Sequence, residues 1–279
     1  MADRIIVIFS LVSVVICGIS GVSQNRGWSS LDGQIDRLAS PSRSVRSQAF
    51  KSIGQFLPPP KGDYSHLQDL AFGDAVAQLV PVTAEKLKTA LIATLAKEQK
   101  LNDGPRGEDD YYWPLLFDIA SLVDQRTLPL LLKELQSGDI VDRGVARLGP
   151  NAVPAVIAQA DDPHGDELNR APCPHVLAEM LNMRTVTLED NPHEFQLIKA
   201  AALRWVTADE FAIGISDAIL LAQINDPDTI AALKEMAAED PHAYVRSDGA
   251  TERPVRHTAQ LELTELGDKA GKGYFPRPY

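Results

Sequence analysis

The sequence predicts an all-helical protein assembled from short, repeating helices. Three observations lead there. Apolar residues recur at spacings of three and four, capping residues stand at the heads of the apolar runs, and several segments nearly duplicate one another. Runs of alternating polar and apolar residues, the mark of half-buried strands, are nearly absent.

Periodicity places the first clear helix in TAEKLKTALIATLAKEQK, where Leu87, Ala90, Leu91, Thr94 and Leu95 fall on one face behind Thr83, a residue suited to cap it. Further on, Asn191, Pro192 and Glu194 supply a cap, a proline for the first helical position and a capping-box acid. The buried face of that helix is expected from Phe195, Ile198, Ala202 and Trp205. Thr207 and Glu210 repeat the capping-box relation ahead of a helix expected to bury Phe211, Ile215, Ile219 and Ala222.

Two kinds of near-duplicate appear. LVDQRTLPLL from Leu122 and INDPDTIAAL from Ile224 pair Asp124 with Asp226, Thr127 with Thr229, Leu128 with Ile230 and Leu131 with Leu233. SPSRSVR from Ser40, DPHAYVR from Asp240 and the looser SGDIVDR from Ser137 each set an oxygen-bearing residue ahead of an arginine: Arg46, Arg246 and Arg143. The reading is a helix start, with Ser40 or Asp240 capping and the proline at the first helical position. Small residues come three positions later at Ala49 and Ala146, where helices would approach closely.

These segments resemble HEAT repeats, in particular the HEAT-like class named after phycobilisome lyases, through DPHAYVR, DQRTLPLLLKEL, VRSQAFKSIG and PVRHTAQLELTELG. The resemblance covers about half of the chain beyond its leader. It implies stacked antiparallel helix pairs in an irregular α-α superhelix, with second helices on the concave side. It also implies that Asp124, Asp226, Asp240, Arg46, Arg143 and Arg246 are repeat positions serving structure. The physics agrees, because a short helix pair covers its apolar face only by stacking on neighbours. Irregularity is expected where GQFLPPPKG (54–62) breaks helix, in the loop LNDGPRGEDDYY (101–112) and between Asp161 and Cys173. MRTVTLED near Met183 reads as a short extended piece, and a helical domain over 24–266 is expected to give way to a loosely ordered tail over 267–279.

Residues 1–23 read as a targeting element, with Arg4 before IIVIFSLVSVVI and small residues at Gly18, Ser20, Gly21 and Ser23. Cleavage near Ser20 or Ser23, retention of Ile5 to Val22 as an anchor, and lipidation at Cys17 are the three outcomes such a segment allows. All three put the protein outside the cytoplasm, in periplasm, envelope or medium. Membrane contact is then expected only through this segment. With 27 Lys and Arg against 38 Asp and Glu, the net charge of -11 makes nucleic acid an unsuitable ligand. Once the leader is removed Cys173 stands alone, so stability must come from packing.

The chemistry-bearing residues are sparse. DDPHGDELNRAPCPH gathers Asp161, Asp162, His164, Asp166, Cys173 and His175, all metal-ligand types. Its spacing matches neither paired cysteines nor HExxH, and a proline-broken acidic surface loop is the ordinary reading. No phosphate-binding glycine loop and no GxSxG elbow is present, and no motif asks for a cofactor. The loop GEDDYYWP offers Tyr111, Tyr112 and Trp113 beside Asp109 and Asp110, a composition that suits a protein or peptide partner. The more ordinary reading is that the same rings seat the loop on the helices, since aromatic residues mostly pack. The leading expectation is therefore a non-catalytic scaffold holding a protein or peptide. The alternative is a HEAT-like enzyme or accessory lyase working through loop 161–175.

Overall fold

A computed structural model describes residues 30–61, 68–101 and 109–272. The predicted leader lies outside the described residues. Within them the chain is mostly helical, with one short hairpin, so the all-α class holds.

Helix α1 (Leu31–Leu38) begins where the Ser30 hydroxyl accepts the N–H of Gly33 at 3.2 Å. Helix α2 (Arg43–Ile53) packs on α1 and buries Arg46, Ala49, Phe50 and Ile53. A short 3-10 turn over Gly54–Phe56 then leads into the prolines that end the helical run. After α3 (Gln68–Ala77), α4 (Pro81–Leu101) starts ahead of the expected cap: Pro81 takes the first position and Thr83 is already inside. The expected face is otherwise in place, with Leu87, Leu91, Thr94 and Leu95 buried and Glu98 beside them.

The middle of the chain runs through α5 (Tyr112–Ala120), the single turn α6 (Leu128–Leu131), a kinked 3-10 stretch (Leu132–Ser137), α7 (Asp139–Ala146) and α8 (Val153–Asp161). One turn, α9 (Glu167–Arg170), precedes α10 (Cys173–Asn182). Helix α7 lies so close to α5 that a Cβ on Gly144 would sit 2.7 Å from the Ala120 Cβ, which only glycine avoids. The extended piece expected near Met183 does not form. Residues 183–190 make turns, with Arg184 at φ 58°, and the Thr185 hydroxyl donates to the Ala146 carbonyl at 2.8 Å.

Helices α11 (Pro192–Trp205), α12 (Phe211–Ile224) and α13 (Pro227–Glu239) come next. Asn191 precedes α11 without a side-chain capping bond, and the expected box of Thr207 and Glu210 is likewise not made. In α11 the expected face is found, with Ile198, Ala202 and Trp205 buried and Phe195 packed against them. In α12 it is not. Ile213, Ala218, Leu220 and Leu221 are buried instead, and Phe211 is 47% exposed. This helix is apolar nearly all round and has α10, α11, α13 and α14 as neighbours, so periodicity could not choose its inner side.

The segment DPHAYVR departs most from expectation. Asp240 ends α13 instead of opening a helix, and Tyr244–Val245 (β1) pairs antiparallel with Thr251–Glu252 (β2) around a turn with Gly249 at φ 84°. Asp248-Gly249 is a hairpin signal, and it overrides the helix start suggested by Asp240-Pro241. The last helix, α14 (Pro254–Lys272), continues through Gly267, so the tail expected to loosen there is helical as far as Lys272.

Packing is sequential. Helices α1, α4, α5, α7, α10, α12 and α14 form a row in which each touches the next, and α8, α11 and α13 form a second row against it. One apolar core runs from Ile35 to Ala259.

Candidate functional site

The loop expected to hold a partner is turned inward. Tyr111 is 1% exposed and Tyr112 is fully buried, and Trp113 packs partly buried on the core. Phe50 meets the Tyr111 ring at 5.8 Å between centroids, and the Tyr112 hydroxyl donates to Glu134 at 2.6 Å. Asp109 explains the geometry: its Oδ1 accepts the N–H groups of Tyr111 and Tyr112, both at 3.0 Å, and its other oxygen accepts from Arg43. Burial raises its pKa, but those donors outweigh it and leave the carboxyl below its ordinary range. Asp110 is surface-exposed and pairs with Lys51. These rings seat the loop at the start of α5, as the ordinary reading of the segment has it, and Tyr111 and Tyr112 offer no exposed contact area.

The repeat positions divide. Arg46 is fully buried, with Nε 2.7 Å from Glu98 and Nη1 donating to the carbonyls of Ser40 and Pro41 at 2.8 and 2.9 Å. Arg143 lies in the last turn of α7. Arg246 is on the exposed hairpin, bonded to Glu252. Asp124 and Asp226 both accept backbone N–H groups at the start of a helical turn, and Asp226 completes a capping box with Thr229. Asp240 accepts from the His242 N–H at 2.9 Å.

Loop 161–175 does not assemble as one site. Asp161 takes the Trp205 indole N–H at 2.8 Å and pairs with Arg204, tying α8 to α11. Asp162 accepts the His164 N–H in a local turn, and Asp166 caps α9. Cys173 is buried, its thiol directed at the Asn169 carbonyl at 3.4 Å, and burial pushes its pKa up, away from the reactive thiolate. Only His175 joins a cluster among the described residues, and its companions are Asp139 and Asp142 from α7. Burial, helped by Asp139 and Glu179 and opposed by Arg143, raises the Asp142 carboxyl to about 8. Nothing local ties these two aspartates to His175, because they lie far from it along the chain, although their spacing of three in DIVD marks one helix face.

The other feature that the sequence does not announce is an open groove of about 570 Å³ where α13, the hairpin and α14 meet. Arg253, Arg256 and His257 line it with Thr251 and Gln260, over a floor that includes Ala237. The Arg256 Nε donates to the Asp240 carbonyl at 2.6 Å, which fixes the side chain beside the end of α13. The run RPVRH carried the signal: three cationic or titratable residues within five positions at the start of α14, in a chain whose net charge is -11. The groove is shallow and gathers neither a nucleophile nor a carboxylate pair.

Compared with known proteins, the chain matches no family model and none of the curated proteins.

Proposed function

We propose that this chain is a non-catalytic, HEAT-like helical scaffold that acts outside the cytoplasm and holds an acidic protein or peptide segment in the groove between α13, the hairpin and α14. The observation that carries this reading is the concentration of Arg253, Arg256 and His257 along an open groove of a strongly acidic molecule. The net negative charge disfavours an acidic segment in general, so a local cationic strip favours one landing place. Guanidinium groups suit carboxylates because they offer paired, planar donors. The ordering of helices into two touching rows supports the superhelical, HEAT-like arrangement. Location outside the cytoplasm rests on the apolar leader. No described helix is long and apolar enough to cross a membrane.

The test is fluorescence anisotropy with a labelled oligoglutamate peptide. The chain should bind it, and binding should weaken as salt rises. The double substitution Arg253→Glu, Arg256→Glu should abolish it while leaving the helical circular dichroism unchanged. Equal binding by the substituted chain would sink the groove reading.

A further inference from the structure

We infer that Asp139, Asp142 and His175 form a binding site for a divalent transition-metal ion, with zinc the ion to try first. Asp139 and Asp142 stand three residues apart on the first turn of α7 and therefore share a face. His175 comes from the first turn of α10, which packs on α7. One ligand atom from each of the three lies within 4.8 Å of the other two. Around a tetrahedral zinc with bonds of about 2.0 Å the ligands stand about 3.3 Å apart, so the cluster must tighten. Asp139 is exposed and free to swing inward, whereas Asp142 is held in place by the core.

A second observation distinguishes this cluster from ordinary surface acids. Asp142 is only 4% exposed, and its Oδ1 has no hydrogen-bond partner. Buried carboxylate oxygens are normally paired, and leaving one bare is costly. A cation held between Asp142, Asp139 and the imidazole supplies the missing partner. The mixed donor set selects the ion: imidazole suits zinc and its neighbours, whereas magnesium and calcium take oxygen ligands alone. Water fills the remaining position on the exposed Asp139 side. Such an ion bolts α7 to α10 at the middle of the row, a structural task independent of the groove.

The experiment is calorimetric titration of zinc chloride into the full chain after stripping with EDTA, paired with thermal unfolding. One ion per chain, an upward shift of Tm with zinc and no shift with the same concentration of magnesium are expected. Asp142→Asn and His175→Gln should each weaken zinc binding by at least about tenfold. If Asp142→Asn loses its helical circular dichroism, His175→Gln decides alone, since that side chain is only partly buried. Absence of zinc binding in the unsubstituted chain overturns the inference. So does undiminished binding in the substituted chains, which would place the ion on exposed histidines such as His164 or His193.

Discussion

The two ends of this molecule carry the same seven-residue pattern and put it to opposite uses. In Ser40–Arg46 the serine and proline stand just ahead of α2, which starts at Arg43 behind Ser42, so Ser40 and Pro41 do not take the cap and first helical position expected of them. Arg46 is buried against Glu98 and the carbonyls of Ser40 and Pro41. In Asp240–Arg246 the same order of residues closes α13 and enters a hairpin, leaving Arg246 in surface ion pairs with Glu252 and Asp248. The residues after the arginine decide between the two. Ser47, Gln48, Ala49 and Phe50 continue a helix with a face to bury, whereas Ser247, Asp248 and Gly249 turn the chain back. A local motif therefore sets geometry only where its flanks agree.

The ends also differ in how they treat a buried carboxylate. Glu98 receives both Arg43 and Arg46. Asp217 in α12 is fully buried, and neither of its oxygens has a partner. Burial raises its pKa well above the ordinary value, so the folded chain favours the neutral acid.

The sharpest way to break the comparison is to remove one buried polar group at each end. Arg46→Ala leaves Glu98 buried with its main partner gone and should cost about 3–5 kcal/mol in urea unfolding. A loss comparable to that of a surface residue would refute the buried-pair account. Asp217→Asn tests the opposite end. Because the raised pKa belongs to the folded state, this group's contribution to stability is fully present below pH about 4 and is lost as pH rises. The asparagine chain should therefore match the parent near pH 4 and exceed it by on the order of 1–3 kcal/mol at pH 8. Parallel Tm profiles across that range would contradict the assignment.

A smaller effect is expected where the near-duplicates LVDQRTLPLL and INDPDTIAAL differ. Both place a left-handed residue ahead of the capping aspartate, but one uses Val123 at φ 48° and the other Asn225 at φ 53°. A β-branched residue is strained there, and asparagine is not. Val123→Asn should stabilise, and Asn225→Val destabilise, each by about 1 kcal/mol; matching signs would disprove the equivalence. Last, Arg246→Ala should change stability by less than about 0.5 kcal/mol, as exposed ion pairs generally do.

Much of the fold was legible because helices announce themselves through apolar spacing, whereas the side-chain caps read at Thr83, Asn191 and Thr207 are not made. Leu87, Leu91 and Leu95, or Ile198, Ala202 and Trp205, lie where the pattern puts them. The likeness of LVDQRTLPLL to INDPDTIAAL is real to the level of single contacts, since the Thr127 and Thr229 hydroxyls each donate to the carbonyl of their aspartate. The pattern fell short where tertiary neighbours decide. The inner face of α12 was ambiguous because apolar residues surround it, and Tyr111 and Tyr112 looked like surface anchors because the ring of Phe50 and the carboxyl of Glu134 are distant in sequence. The candidate sites were the least legible for the same reason: His175 meets Asp139 and Asp142 only after α7 and α10 pack, and the cationic groove exists only once the hairpin folds beside α14.

Hydrogen–deuterium exchange of the full chain with and without the oligoglutamate peptide tests the central claim most directly. Protection confined to residues 237–260, with 109–117 unchanged, is the predicted result. Protection at 109–117, or none anywhere at saturating peptide, would contradict the groove as the binding surface.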